Sequence, residues 1–172
     1  LFSQYFIMIY DHEFNFDDTI LLVMPCCHVN SLFYSFVVTW VGGTVMCYNM
    51  VSFNPESLIK CFSDHGITFT SLVPAHYIMM LALPDEVKAK YNLNAIKKLL
   101  CSSAPARRDT KQGILAMFPN SRLFEAYGST EAGCVTILKP EEQMKKLGSI
   151  GREAIGTDII QIYDEDGKLI TE

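Results

Sequence analysis

Short apolar runs alternate along the chain with longer segments in which apolar side chains recur at helical spacing. The run 18–25 has the length of a buried strand and stops at a proline, whereas 29–41 is too long for a strand and predicts a buried helix. Further helices are predicted at 1–10, 55–65, 74–83, 85–91 and 107–118, and further strands at 44–48, 67–73, 96–104 and 121–127, with strand and turn from 148 onward. This alternation predicts an α/β fold, a mostly parallel β-sheet flanked by helices on both faces, with a β-rich C-terminal end.

The domain organisation follows from the same pattern. We predict an α/β subdomain at residues 1–145 and the start of a β-rich segment at 146–172. Leu1 is not an initiator and the final stretch "YDEDGKLITE" stops inside what resembles a hairpin. We therefore expect the sequence to be an internal piece of a longer chain.

Composition narrows the class of protein. Hydrophobic residues make up 49% and charged residues 19%, which predicts a folded domain with a sizeable core. The net charge is -5 and the basic residues are scattered in pairs, so we expect no nucleic-acid partner. Residues 19–55 contain no Asp, Glu, Lys or Arg, but proline, glycine and polar residues divide them into pieces shorter than the roughly 20 apolar residues of a membrane-spanning helix. No transmembrane segment is predicted.

The six cysteines form no C-x-x-C pair, and most lie in apolar runs. This usage predicts small buried thiols in a reduced, cytoplasmic protein. His12, His65 and His76 are interpreted as surface or helix-end residues.

Three predicted strand ends carry unusual side chains. They are 25–31, 101–106 and 127–131. In α/β sheets ligands bind beyond the carboxyl ends of the strands, so these three segments are the candidate site.

The segment "YGSTE" suits a nucleotide with a bound cation. Gly128 permits a sharp backbone turn, and Ser129 and Thr130 supply hydroxyl donors. Glu131 would repel a phosphate unless a cation such as Mg²⁺ lay between them, and the ring of Tyr127 could stack on a base. A capping box fails here because neither hydroxyl has Glu or Gln three residues later, although a plain turn remains the alternative.

The other two strand ends are weaker signals taken singly. Ser102, Ser103 and Ala104 are small enough for another molecule to approach the backbone, and Pro105 stiffens the exit, as an ordinary β-to-α connection would also do. His28 could contact a carboxylate or could be a satisfied, partly buried histidine. No G-x-S-x-G elbow, Walker motif or dinucleotide fingerprint occurs.

The order of these segments resembles the adenylate-forming superfamily, and most of all its acyl-CoA synthetases. The segments are "PCCHVNS", "VGGTVM", "ITFTSLVPAHY", "LLCSSAPA", "FEAYGSTEAG" and "GSIGRE", which together cover essentially the whole chain. The resemblance implies that a carboxylate attacks the α-phosphate of ATP, giving an acyl-adenylate and pyrophosphate, and that coenzyme A then attacks the acyl carbon. The implied ligands are ATP or AMP, Mg²⁺, coenzyme A and a small carboxylic acid.

The resemblance also implies residue roles. Tyr127 would stack on adenine, Glu125 would approach the adenine amino group, Thr130 would meet the AMP phosphate, Glu131 would bind Mg²⁺, and His28 would border the carboxylate site. Thr130, Glu131 and His28 are therefore the expected catalytic residues. The remaining expected nucleotide-binding residues are Ser102, Ser103, Ala104, Pro105, Ala126, Gly128 and Ser129.

Two positions depart from the family pattern, and several of the family's functional segments are expected to lie outside this sequence. Ser102 and Ser103 replace a common glycine pair, and Glu125 is an acid where an amide is frequent. The resemblance places a phosphate loop upstream of Leu1, and a ribose-binding aspartate, a hinge and a catalytic lysine beyond Glu172. The 172-residue chain alone is therefore expected to be inactive.

Two other functions remain open: an amino-acid adenylation domain, and a non-catalytic relative that only holds a nucleotide or acyl group. For the substrate, the predicted helix at 29–41 suggests an apolar fatty or aromatic acid. Its apolar side chains would either border the acyl group or simply fill the core; they are Leu32, Phe33, Phe36, Val37 and Trp40.

Overall fold

The computed structural model describes residues 2–49, 52–155 and 160–170. Its helices are α1 (Phe2–His12), α2 (Val29–Trp40), α3 (Pro55–His65), α4 (Pro74–Leu81), α5 (Asp85–Lys88) and α6 (Arg108–Met117), with a 3-10 turn at Pro140–Glu142. Its strands are β1 (Thr19–Leu22), β2 (Thr44–Cys47), β3 (Phe69–Leu72), β4 (Lys98–Ser102), β5 (Arg122–Ser129), β6 (Gly133–Leu138) and β7 (Arg152–Glu153).

All seven strands form one sheet in the order β2-β1-β3-β4-β5-β6-β7. Pairing is parallel from β2 through β5 and antiparallel from β5 through β7. Helices α3, α4 and α6 pack on one face, where Leu58, Tyr77 and Ile114 are fully buried, and α1 and α2 pack on the other. The predicted α/β fold with a mostly parallel sheet is confirmed.

Local signals explain where α3 begins and ends. The Asn54 side chain accepts a hydrogen bond from the Ser57 amide at 2.8 Å, Pro55 occupies the first turn, and Gly66 follows in the left-handed conformation at φ 58°. The boundaries predicted from the sequence are the observed ones.

The amino ends of the central strands are joined by a buried polar network around Asp18. Lys98 Nζ lies 2.7 Å from Asp18 Oδ2, Thr68 donates to Oδ1 at 2.8 Å, and the Asn15 amide donates to Oδ2 at 3.0 Å. Asp18 and Lys98 are both buried. Removing one partner of such a pair leaves an uncompensated charge, which costs about 3–5 kcal/mol. This end of the sheet is therefore held by satisfied polar contacts.

The region after β5 differs from the prediction. The chain does not leave the sheet at Tyr127, because β5 continues through Ser129, turns at 130–132 and returns as β6. From 148 onward, β7 is short, and a bridge from Tyr163 to Leu169 closes the predicted hairpin. Residues 156–159 and the last two of the predicted hairpin, 171–172, lie outside the described residues.

Two predictions about buried side chains are corrected. Cys26, Cys27 and Cys47 are exposed, because they lie in the β1–α2 loop and at the end of β2, and Cys101 is the buried thiol in the described ranges. His12 ends α1 but is fully buried between that helix and the sheet. None of the helices in the described part of the chain has the length and hydropathy to span a membrane.

Candidate functional site

A cavity of about 840 Å³ opens beside the carboxyl ends of β4 and β5 and the start of α2. This volume lies within the range of about 300–1,000 Å³ common for small-molecule sites. The predicted site residues that line it are His28, Ser102, Ser103, Ala104, Pro105, Glu125, Ala126, Tyr127, Gly128, Ser129 and Thr130. Glu131 follows Thr130 in the exposed turn and does not line the cavity. The three strand ends therefore converge as the sequence predicted.

The loop after β4 is tied to its neighbours by Asn30. Its side-chain nitrogen Nδ2 donates to Ser71 Oγ at 2.8 Å and to Ser102 Oγ at 3.0 Å. These bonds join the ends of β3 and β4 to the first turn of α2. Ser103 has φ 68°, a left-handed conformation that costs a non-glycine residue free energy. The loop thus keeps a backbone shape that suits glycine although serine occupies it.

Glu125 lies on the inner side of the cavity and is held from two elements. Its Oε1 accepts from the Ala106 amide at 3.1 Å, and its Oε2 pairs with Lys111 Nζ from α6. The Lys111 side chain is 1% exposed and that of Glu125 is 11% exposed. A buried ion pair therefore forms part of the cavity wall.

The outer part of the cavity is formed by the β5–β6 hairpin. Tyr127 is 54% exposed, which leaves its ring available to a planar ligand. A Cβ at Gly128 would lie 2.0 Å from the Gly133 carbonyl oxygen, so the bulge between Tyr127 and Gly128 requires glycine. Ser129 Oγ accepts from the Ala132 amide at 3.1 Å and closes the turn.

His28 lies at the rim and caps α2. Its Nδ1 accepts a hydrogen bond from the Asn30 amide at 3.2 Å. The neutral ring therefore carries its proton on Nε2, which can donate to a ligand. The side chain itself is exposed.

The predicted acyl-binding face of α2 is largely wrong. Leu32, Phe36 and Trp40 recur every four residues on the outer side of the helix and are 46%, 50% and 59% exposed, and Val37 is buried in the core. Phe33 alone of the five lines the cavity. The large apolar side chains of the lining include Met8, Val29, Phe33, Tyr34 and Leu100.

Several lining residues had no predicted role. Lys111 could have been found from spacing, because it shares a helix face with Ile114, and a lysine on an apolar face is seldom buried without a partner. Two thiols, of Cys101 and Cys134, also line the cavity; burial raises the pKa of each to about 12, so neither is a thiolate near neutral pH. The other lining residues without a predicted role include Asn30, Gly148, Ser149 and Ile150.

A family model described as AMP-binding enzyme matches residues 1–172. The chain belongs to the AMP-binding enzyme family. It is 28% identical over 145 residues to 4-coumarate–CoA ligase 5 of Oryza sativa subsp. japonica; the matched segment covers 80% of the chain and 26% of the relative. It is 27% identical over 146 residues to acyl-CoA synthetase 7 of Caenorhabditis elegans, which covers 85% of the chain and again 26% of the relative.

A solved structure has the same fold as the chain. The inhibitor-bound N-terminal domain of FACL13 from Mycobacterium tuberculosis superimposes with a TM-score of 0.84 at 22% sequence identity, over 97% of this chain and 40% of that one. The family model confirms the resemblance inferred from the motif order, and the similar structure confirms the predicted fold class. The chain spans about a quarter of the length of the two curated relatives.

Proposed function

We propose that the full-length protein is an ATP-dependent carboxylate–CoA ligase that acts on an apolar fatty or aromatic acid. The observation that carries the proposal is the convergence of His28, the 102–105 loop and the 125–130 segment on one cavity. Family membership and relatives named as CoA ligase and acyl-CoA synthetase support the same reaction class.

The nucleotide would occupy the hairpin side of the cavity. The exposed ring of Tyr127 offers a stacking face for the base, and Glu125 offers carboxylate acceptors for an amino group. Thr130, at the turn after β5, offers a hydroxyl to the phosphate. The small side chains of the 102–105 loop leave room for the nucleotide to lie against the backbone.

Glu131 is the residue that would hold Mg²⁺. It is an exposed carboxylate in the hairpin turn, and the described residues contain no group of three or more His, Cys, Asp or Glu side chains placed to hold a metal. A single carboxylate such as that of Glu131 fits Mg²⁺, which commonly takes one or two carboxylates and completes its shell with phosphate oxygens and water. The ion would supply charge neutralisation on the phosphates.

The carboxylic acid would lie between His28 and the apolar lining. His28 Nε2 can donate to the carboxylate, while Met8, Phe33 and Tyr34 offer apolar surface to the rest of the acid. In the reaction a carboxylate oxygen bonds to the α-phosphorus and pyrophosphate leaves. The sulfur of coenzyme A then bonds to the acyl carbon and AMP leaves. The protein contributes mainly by positioning and by stabilising phosphate charge.

The test is AMP release by the full-length protein with ATP, coenzyme A and a panel of carboxylic acids. We expect fatty or aromatic acids to be used, whereas preference for acetate or a charged amino acid would contradict the substrate class. Glu131→Ala should impair use of Mg²⁺-ATP. Glu141→Ala is the matched control, because Glu141 is an exposed carboxylate beyond the far end of β6. Wild-type rates for Glu131→Ala would remove the metal assignment.

A further inference from the structure

Lys111 is a fully buried cation in the wall of the cavity. Its side chain is 1% exposed, and its Nζ pairs with Glu125 Oε2. Within the described ranges Glu125 is its one hydrogen-bond acceptor. Lysine is almost never buried to this extent unless it is paired, so the position of the Lys111 side chain depends on Glu125 and that of Glu125 on Lys111.

A gain in stability does not account for this pair. Taking two charges out of water costs about as much as their attraction returns, and apolar residues of similar volume often serve equally well. The pair also lies beside the cavity rather than deep under a helix, since both side chains line it. Its location points to a role in holding a ligand-binding group in place.

We propose that Lys111 is a positioning residue that holds the Glu125 carboxylate toward the base of the bound nucleotide. The contacts join three elements: Lys111 from α6, Glu125 from β5, and the Ala106 amide from the end of the 102–105 loop. A carboxylate can accept about four hydrogen bonds, and these two contacts leave acceptor positions for a ligand. The inference rests on the proposed use of this cavity for ATP.

A consequence of this arrangement is selection for a base that donates a hydrogen bond. An ionised carboxylate accepts and does not donate, so it favours the exocyclic amino group of adenine. The carbonyl at the same position of hypoxanthine is an acceptor and would leave the carboxylate unpaired. Lys111 therefore contributes to the choice of ATP over inosine triphosphate without touching the nucleotide.

Calorimetric titration of the full-length protein with ATP and with inosine triphosphate tests the proposal without requiring turnover. Lys111→Met should raise the Kd for ATP by about ten- to a hundredfold, the value of one hydrogen bond to a charged group, and change the Kd for inosine triphosphate much less. The ratio of the two Kd values should fall accordingly. A merely structural role would weaken both nucleotides alike.

Lys98→Met is the matched control, because it breaks a second buried lysine–carboxylate pair, which lies at the opposite end of the sheet. It should keep the wild-type ratio. If Lys111→Met does not fold, the double variant Lys111→Met with Glu125→Gln removes both charges, and it should bind the two nucleotides with similar affinity because an amide can donate as well as accept.

A wild-type ratio in Lys111→Met or in the double variant overturns the proposal, as does an equal loss of selectivity in Lys98→Met. Wild-type protein that binds neither nucleotide overturns this inference and the proposed function together. Selective ATP binding that depends on Lys111, without acyl-adenylate formation, would remove the proposed function and leave the role of Lys111 in place.

Discussion

Acid is expected to destabilise this fold through His12. The imidazole is fully buried, with its ring centroid 5.5 Å from that of Phe14 and 4.7 Å from that of Phe124. Desolvation lowers the pKa of His12 from 6.5 to about 3, against the opposing effect of the Met8 carbonyl. The cations that add to the lowering are Lys98, Lys139 and Arg122.

The folded state loses stability in acid because the unfolded chain takes up a proton more readily at His12. Below pH 6.5 the unfolded chain binds a proton at His12 that the folded chain excludes, so the stabilisation is complete above pH 6.5 and is lost as the pH falls toward 3. Each pH unit in this window is worth about 1.4 kcal/mol. At pH 5 the loss is therefore about 2 kcal/mol.

The assay is urea unfolding of the full-length protein at pH 7.5 and pH 5. His12→Phe keeps an aromatic ring among aromatic neighbours but cannot titrate, so between the two pH values it should lose about 2 kcal/mol less than wild type. His65→Gln, at the exposed end of α3, should keep the wild-type dependence. Burial also lowers the pKa of His76, which adds a loss common to all three proteins. Equal pH dependence in wild type and His12→Phe would refute the reasoning.

Three further perturbations have defined outcomes. Ser103→Gly removes a left-handed serine at φ 68°. It should stabilise the fold by roughly 0.5–1 kcal/mol, because relief of about 1–2 kcal/mol of strain exceeds the entropy cost of glycine of about 0.5–1 kcal/mol. A lower unfolding midpoint would contradict this. Gly128→Ala should abolish nucleotide binding, because its Cβ would lie 2.0 Å from the Gly133 oxygen; wild-type affinity by calorimetry would disprove it. The exposed sulfurs of Cys26 and Cys47 are 3.9 Å apart, so oxidised glutathione should join them as a disulfide and be reduced to glutathione. Thiol titration should show the loss, and Cys47→Ser should prevent it; unchanged thiols in wild type would count against the pairing.

The parts of the fold predicted correctly depend on short-range signals. Asn54 and Gly66 mark the ends of α3 because capping and left-handed backbone are properties of individual residues. Strand β6 had no such signal. Its return beside β5 depends on close backbone approach between Gly128 and Gly133, and that contact exists only after the chain has turned.

Some features of the candidate site could likewise be predicted from the sequence, and others could not. Convergence of the three strand ends was predictable, because parallel strands end at the same edge of a sheet. The apolar lining was not, since the orientation of α2 decides that Phe33 faces the cavity while Leu32 and Phe36 face outward. The role proposed for Lys111 could be inferred only once its side chain was known to be buried, although its helical spacing gave a hint in the sequence.

The two ends of the sheet differ in how freely they can change during evolution. At the amino end, Asp18, Thr68 and Lys98 satisfy one another, so a substitution there lowers the stability of the fold. At the carboxyl end, the 102–105 loop and the hairpin turn at 130–132 are largely exposed beside the cavity. Substitutions in those loops can change how a bound ligand is contacted while the strands beneath keep their pairing. A lineage with this architecture can therefore change the contacts at the edge of its cavity through mutations that cost little stability.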